Sequence, residues 1–198
     1  MRALILVDLQ NDFMPGGALA VAQGDETVAV ANALIPQFEL VVCTQDWHPA
    51  DHGSFASQHP GHRPGQLVEL NGLTQVLWPD HCVQDSRGAA FHANLRLPPD
   101  AVVFQKGTDS TVDSYSGFFD NGRRKATGLG DFLVGKGVTD VTVMGLATDY
   151  CVKFTALDAV ALGFATTLVV AGCRAVNLAP GAGDAAVAVM RAAGVTIA

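Results

Sequence analysis

The stretch Val141–Gly163 constrains the fold more than any other part of the chain, because it reads as a strand, a tight turn and a helix in succession. The strand part is an apolar run. In the helix part, four small or apolar residues are spaced four, three and four apart, which places them on one helix face: Val152, Ala156, Ala159 and Gly163. Side chains this small allow a helix to lie close against a sheet. The stretch therefore predicts a strand–helix unit of an α/β fold.

Strands and helices alternate along the rest of the sequence. Further strands are predicted at Ala3–Leu9, Leu40–Thr44, Ala101–Lys106, Ala165–Ala171 and Val195–Ile197, and helices at 26–35, Gly128–Gly135 and Gly183–Ala193. The first strand is apolar on both faces, as strands of a buried parallel sheet are. The alternation predicts a mostly parallel sheet with helices on both faces, which is a three-layer α/β fold. No linker divides the chain, so residues 1–198 are expected to form a single domain.

Composition and charge argue against several classes of partner. Apolar residues make up 49% of the 198 residues and charged residues 16%, as in a globular protein with a substantial core. The net charge of −7 argues against duplex nucleic acid and anionic membrane surfaces, since both require a basic face. No signal peptide is expected, and no apolar run approaches the roughly 18 residues of a transmembrane helix. The four widely spaced cysteines then suggest reduced thiols in the cytoplasm.

A long segment without periodicity, about residues 45–99, interrupts the α/β pattern. It contains all six histidines, five of them between positions 48 and 81: His48, His52, His59, His62 and His81. Both tryptophans, Trp47 and Trp78, are also here. Loops of this length inside a compact domain are usually functional. We therefore interpret the segment as an insertion that lines a pocket and binds a metal, the alternative being a solvated polar loop.

Cys151 is the candidate nucleophile, because it falls in the first turn of the predicted helix. Free amide N–H groups and the positive end of the helix dipole gather there. A thiol in that place is biased toward the thiolate, which is the form that attacks. The alternative is a buried cysteine that serves as a small apolar residue.

Two charged residues share the predicted location of Cys151. Asp8 and Lys106 each lie at the carboxyl end of a strand, and in open α/β sheets the ligand crevice lies outside those ends. A carboxylate beside a thiol can take its proton. A nearby lysine keeps the carboxylate ionised and stabilises the thiolate. Taken singly, Asp8 could merely end a strand and Lys106 could be a solvated strand end.

Asp46, His48 and His81 are the candidate metal ligands. The first two are separated by one residue in an extended segment, so their side chains point to the same side. A third imidazole from farther along the loop would complete a facial set with open positions. One carboxylate and two imidazoles suit zinc, iron or manganese. His52 is a candidate fourth ligand.

Five short motifs carry a resemblance to a known family. They are D-L-Q-N-D-F at 8–13, D-W-H-P at 46–49 with His52, W-P-D-H-C at 78–82, K-G at 106–107 and G-L-A-T-D-Y-C-V at 145–152. They resemble the motifs of nicotinamidases, a branch of the isochorismatase-like cysteine hydrolases. The resemblance covers essentially the whole chain. The D-W-H-P and W-P-D-H-C motifs are specific to that branch, whereas the aspartate, lysine and cysteine are common to the wider superfamily.

The resemblance implies an isochorismatase-like, six-stranded parallel sheet and hydrolysis of nicotinamide to nicotinate and ammonia in NAD salvage. Pyrazinamide-type analogues are expected substrates as well. By position, Cys151 matches the nucleophile that forms a thioester, Asp8 the general base and Lys106 the third triad member. The resemblance also implies a cis peptide bond between Leu146 and Ala147, which would direct the Ala147 amide toward the developing oxyanion.

The same resemblance implies one divalent metal ion, which is Zn, Fe or Mn and holds the pyridine nitrogen of the substrate. Asp46, His48 and His81 match its ligands, and His52 matches a position that ligates the metal in some members only. The implied substrate contacts are Phe13, Trp78, Tyr115, Ala147 and Tyr150.

Two other interpretations follow from the same residues. The first is another amidase of the superfamily, such as a carbamoyl amide hydrolase, which would not need a pyridine-binding metal. The second is a non-catalytic metal or redox sensor that uses the histidine-rich segment and Cys82. The sequence leaves open the metal identity and whether the chain forms a homo-oligomer.

Overall fold

Six parallel strands form the central sheet in a computed structural model that describes residues 1–198. The strands, in chain order, are β1 (Arg2–Val7), β2 (Leu40–Asp46), β3 (Leu67–Leu70), β4 (Leu73–Val76), β5 (Val102–Lys106), β6 (Asp140–Leu146), β7 (Ala165–Arg174) and β8 (Thr196–Ile197). The helices are α1 (Glu26–Leu34), α2 (Leu129–Gly135), α3 (Lys153–Ala161) and α4 (Ala182–Ala192). In the central sheet the order is β5-β2-β1-β6-β7-β8, so β3 and β4 stand apart from it.

Helices cover both faces of the sheet, as the apolar strands predict. Every residue from Ala3 to Val7 in β1 is at most 1% exposed, which requires a covering layer on each side. Helix α1 packs on β6 and β7, while α3 packs on the same strands and on α4. The predicted three-layer α/β fold with a six-stranded parallel sheet is therefore confirmed.

The helix after β6 differs from its predicted extent. A π-helical turn, Thr148–Val152, precedes α3, and α3 ends at Ala161. Val152, Ala156 and Ala159 are fully buried, as their spacing predicts. Gly163 does not share their face, because it lies beyond the helix end with φ at +90°. A left-handed residue just after the last turn is a common way for a helix to end.

The 45–99 segment contains a β-hairpin that the sequence interpretation missed. Strands β3 and β4 pair antiparallel, with Leu70 opposite Leu73. Asn71 and Gly72 form the connection, and their φ angles are +50° and +79°. Two residues with positive φ make the tight turn typical of hairpins, for which Asn-Gly is the strongest sequence signal. That dipeptide could have revealed the hairpin.

The strand order places the carboxyl ends of four neighbouring strands side by side, namely β5, β2, β1 and β6. It reverses between β1 and β6, and ligands of open α/β sheets bind outside the carboxyl ends at such a point. In the β2–β5 pairing, Asp46 lies directly beside Lys106. Asp8 follows β1, and Cys151 follows β6 by one turn. The chain has no helix that is both long and apolar enough to cross a bilayer.

Candidate active site

Asp8, Lys106 and Cys151 come together at the carboxyl end of the sheet. The Lys106 ammonium lies 2.9 Å from Asp8 Oδ2 and 3.4 Å from Cys151 Sγ. It also donates a hydrogen bond of 3.0 Å to the carbonyl oxygen of Ser114. All three side chains are buried. The arrangement places the Asp8 carboxylate, the Lys106 ammonium and the Cys151 thiol in one buried region, where electrostatic interactions are stronger than in water.

Burial sets the protonation of this cluster. It raises the pKa of Asp8, and the Lys106 charge opposes that effect. It also raises the pKa of the Cys151 thiol well above its ordinary value, again opposed by Lys106 and reinforced by Asp8. The resting residue is therefore a thiol, although its position near a helix start favours the thiolate. A nucleophilic role for Cys151 would therefore require a base that removes this proton.

Asp46, His48 and His81 form a second buried cluster beside the first. Asp46 Oδ2 lies 3.7 Å from His48 Nε2 and 3.8 Å from His81 Nε2. The opposite ring nitrogens are held by carbonyl oxygens, that of Gly107 at 2.9 Å and that of Pro79 at 2.8 Å. Such contacts fix the ring orientation and leave both Nε2 atoms facing the carboxylate. This donor set fits a divalent metal ion of the zinc, iron or manganese type.

Gln10 holds Asp46 in place, and the sequence interpretation did not identify it. Its side-chain nitrogen donates to the Asp46 carbonyl at 2.8 Å, and its side-chain oxygen accepts from the Asp46 amide at 2.8 Å. The Asp46 carboxylate is thereby aimed between two partners. Oδ1 contacts the Lys106 ammonium, and Oδ2 faces the two imidazoles. The sequence feature that could have indicated this role is the position of Gln10 within the D-L-Q-N-D-F motif, two residues after Asp8.

His52 lies beside the cluster of Asp46, His48 and His81. Its Nδ1 contacts Ser54 Oγ at 2.7 Å, while its Nε2 is buried without a hydrogen-bond partner. Burial and the neighbouring His48 lower the pKa of His52 to about 4, so its ring is neutral. Its ligand atom groups with those of His48 and Asp113. A fourth ligand at this position remains a prediction. His59 bonds the carbonyl oxygen of Gly53 instead, and His62 is exposed.

A cavity opens onto both clusters. All five predicted substrate contacts line it: Phe13, Trp78, Tyr115, Ala147 and Tyr150. Asp46, His81 and Cys151 line it as well, and Leu19, Asp113 and Val176 are additions that the sequence did not indicate. Apolar walls with polar groups at one side are typical of a small-molecule site.

Aromatic contacts hold the cavity wall in shape. The Trp78 and Tyr150 rings meet edge to face, with centroids 4.8 Å apart. Trp78 Nε1 donates a hydrogen bond of 3.2 Å to Tyr115 Oη. Gln75 of β4 donates to the same hydroxyl at 3.1 Å and to Asp113 at 2.9 Å. The hairpin missed in the sequence therefore supports the wall.

The turn before Cys151 has the conformation that the resemblance implies. The peptide bond between Leu146 and Ala147 is cis. The other three cysteines, Cys43, Cys82 and Cys173, are free and buried, and burial raises the pKa of each thiol. None of these three lines the cavity, in contrast to Cys151.

Comparison with known proteins agrees with this geometry. The family model described as the Isochorismatase domain matches residues 2–198 of the chain. The chain belongs to the isochorismatase family. Among its curated relatives in that family, the nicotinamidase of Escherichia coli strain K12 is 56% identical over 200 residues, which cover 99% of this chain and 93% of that protein.

Solved structures of the isochorismatase family superpose closely on this chain. The "Acinetobacter baumanii nicotinamidase pyrazinamidease" has a TM-score of 0.95 at 44% identity, covering 99% of this chain and 94% of that one. The pyrazinamidase of Pyrococcus horikoshii in complex with zinc has a TM-score of 0.83 at 38% identity, covering 100% and 98%. The resemblance to nicotinamidases found in the sequence is thus confirmed.

Proposed function

We propose that this chain is a nicotinamidase, which hydrolyses nicotinamide to nicotinate and ammonia and also accepts pyrazinamide-type analogues. The observation that carries the proposal is the cavity itself, where Cys151 and the aromatic walls share one small volume with Asp46 and His81. A flat aromatic amide matches these walls, because its ring is apolar on both faces and polar at its edges. The 56% identity to a nicotinamidase over nearly the whole chain supports the same substrate.

Asp46, His48 and His81 are the proposed ligands of one divalent metal ion. Zinc is supported by the zinc complex of the Pyrococcus horikoshii relative, and the same donors also suit iron or manganese. When bound, the ion supplies a Lewis-acid site for the pyridine nitrogen of the substrate. Hydrolysis itself is assigned to the chain's own side chains.

Acylation begins with proton transfer from Cys151 to Asp8. The raised pKa of the Asp8 carboxyl makes it a stronger base than an ordinary carboxylate. The thiolate then attacks the amide carbon, while Lys106, 3.4 Å from Cys151 Sγ, stabilises the negative charge on sulfur. Protonated Asp8 gives its proton to the nitrogen as the C–N bond breaks, and ammonia leaves a thioester on Cys151. The amides of Ala147 and Cys151 are the proposed donors to the oxyanion.

Deacylation uses Asp8 a second time. It takes a proton from water, and the resulting hydroxide attacks the thioester carbon. The C–S bond breaks, Asp8 returns the proton to the Cys151 sulfur, and the nicotinic acid that leaves loses its carboxyl proton to solvent and becomes nicotinate. Lys106 keeps its proton throughout, because contacts with Asp46 and Asp8 raise its pKa well above the ordinary value despite its burial.

The decisive experiment is an assay of ammonia release from nicotinamide, with metal analysis of the same sample. Measurable formation of nicotinate and ammonia would support the proposal. If the metal-loaded protein released no ammonia, the proposal would be refuted. A carbamoyl amide hydrolase is disfavoured, because that activity gives the buried Asp46, His48 and His81 cluster no role. A sensor would release no ammonia.

The biological setting follows from the reaction. We place it in salvage of nicotinamide for NAD synthesis, in the cytoplasm, and the four free cysteines support a reducing compartment. We also propose that residues 1–198 act as one catalytic domain, in which the 45–99 insertion supplies metal ligands and substrate contacts. One hydrophobic core of 36 buried residues, which includes members from both ends of the chain, supports a single unit.

A further inference from the structure

Thr44 is a buried residue that contacts the proposed base and has no role in the mechanism so far. It lies in β2 and pairs in register with Val7 of β1, so Asp8, the next residue, is within reach of its side chain. Thr44 Oγ1 donates a hydrogen bond of 2.6 Å to Asp8 Oδ1, and both residues are 0% exposed. This length is typical of a hydroxyl that donates to a carboxylate.

The methyl group of Thr44 fixes the direction of its hydroxyl. A Cβ atom placed on Gly117 would lie 2.6 Å from Thr44 Cγ2, so that glycine leaves the space that the methyl group occupies. A β-branched side chain has few χ1 rotamers, and seating the methyl beside Gly117 leaves the hydroxyl aimed at Asp8. The carboxylate is the one hydrogen-bond partner of that hydroxyl.

The two oxygens of Asp8 therefore have different partners. Oδ1 accepts from Thr44, and Oδ2 lies 2.9 Å from the Lys106 ammonium. The attraction to Lys106 depends on the negative charge of Asp8, so it weakens each time Asp8 takes a proton. A hydroxyl is a neutral donor, and its hydrogen bond persists when the carboxyl group is neutral.

We propose that Thr44 is a positioning residue that holds the Asp8 carboxyl group in one orientation through both of its protonation states. The proton taken from the Cys151 thiol then remains directed at the reacting atoms as the S–C bond forms. It passes to the nitrogen as the C–N bond breaks and ammonia leaves. This inference rests on the proposed function, and it adds the group that keeps the base aligned between its two proton transfers.

Three variants of the full chain test the inference with nicotinamide as substrate. Thr44→Val keeps the shape and removes the donor, whereas Thr44→Ser keeps the donor. Thr166→Val is the matched control, because Thr166 is also a buried threonine whose hydroxyl donates one hydrogen bond, to the Phe164 carbonyl oxygen at 3.0 Å. We expect Thr44→Val to lower kcat by roughly 10- to 100-fold, part of what a general base contributes, while KM stays within about twofold. Thr44→Ser should keep kcat within about threefold, and Thr166→Val should keep both constants.

Two kinetic results would overturn the inference. One is a Thr44→Val protein whose kcat matches that of the parent; the other is an equal loss of kcat in Thr44→Val and Thr44→Ser, which would indicate packing alone. A crystal structure of Thr44→Val provides a readout that does not depend on activity. We expect the Asp8 carboxyl group to turn or to occupy two orientations there, and an unchanged single orientation would also contradict the inference. If the parent protein released no ammonia, the proposed function would fail, while the crystal structure would still decide whether Thr44 orients Asp8.

Discussion

Lys106 and Asp46 connect the two halves of the site, since the Lys106 ammonium contacts Asp46 Oδ1 while Asp46 Oδ2 faces the two histidines of the metal cluster. The same ammonium lies 2.9 Å from Asp8 Oδ2 and 3.4 Å from Cys151 Sγ. One carboxylate thus belongs to the proposed metal site and also contacts the proposed triad. A change at Asp46 is expected to disturb both halves, whereas a change at Cys151 or at one of the two histidines should affect only one half.

Cys151→Ala is expected to keep the fold and to lower ammonia release from nicotinamide by at least about 1,000-fold, because it removes the attacking atom. The measurement is kcat, with the melting temperature recorded alongside. Cys43→Ala is the control, since Cys43 is fully buried within β2. It should lower the free energy of unfolding by about 1–2 kcal/mol and leave kcat unchanged. Near-parent activity in Cys151→Ala would exclude cysteine catalysis.

Asp8→Asn is expected to slow both formation and hydrolysis of the thioester. Asparagine has nearly the same shape as aspartate, but its side chain cannot take the thiol proton or the water proton. Single-turnover and steady-state measurements with nicotinamide should both show losses of at least about 100-fold. Full activity at neutral pH would remove Asp8 from the mechanism and leave Lys106 or a histidine as the base.

Alkylation by iodoacetamide at pH 8 should modify Cys151 alone in the native protein. Burial raises the pKa of Cys43 and of Cys173 to about 12 and that of Cys82 well above its ordinary value, so at pH 8 these three thiols remain protonated. Cys151 lines the cavity and has a base beside it, so it can react despite its own raised pKa. Peptide mass spectrometry would identify the modified residue, and nicotinamide should slow the reaction. Equal labelling of Cys43 would contradict this assignment.

Benzamide is expected to be a much poorer substrate than nicotinamide in the metal-bound protein. It has the same amide and ring shape but no ring nitrogen, so it lacks the remote contact that positions the carbonyl group against Cys151. His48→Ala should reduce nicotinamide turnover far more than benzamide turnover, which shrinks the preference. His62→Ala is the matched control, because His62 is exposed and lies outside the cluster.

The comparison requires kcat/KM for both amides on all three proteins, with metal content measured for each. Equal values for the two amides on the parent protein would exclude an orienting role for the metal. Undiminished nicotinamide turnover in fully metal-free protein would exclude the metal assignment itself.

The sheet and the convergence of the main side chains could be predicted from the sequence. Parallel strands place their carboxyl ends at one edge, so Asp8 and Lys106 at strand ends, with Cys151 one turn beyond another, are brought together by topology alone. The substrate contacts at Trp78 and Tyr115 followed from motif resemblance rather than from periodicity. The cavity contains both, which agrees with that interpretation.

Other features of the site depend on tertiary contacts, which leave no periodic pattern in the sequence. Gln10 and Thr44 are ordinary polar residues in the sequence, and their roles arise only because neighbouring strands place Asp46 and Asp8 within hydrogen-bond distance. The raised pKa of the Cys151 thiol has a related origin. Its position near a helix start favours thiolate, but the depth of burial decides the outcome, and depth is a property of the whole fold.

The supporting hairpin of the cavity wall stands outside the central sheet, and this has a consequence for how the protein could change over evolution. Asp8, Lys106 and Cys151 are anchored to strands of the main sheet, whereas Tyr115 is supported by Gln75 of the separate β3–β4 pair. Substitutions or changes of length in that pair can therefore reshape the space around the ring while the reacting groups stay in register. Relatives that prefer different amides could therefore evolve through changes in the β3–β4 hairpin, while Asp8, Lys106 and Cys151 keep their positions.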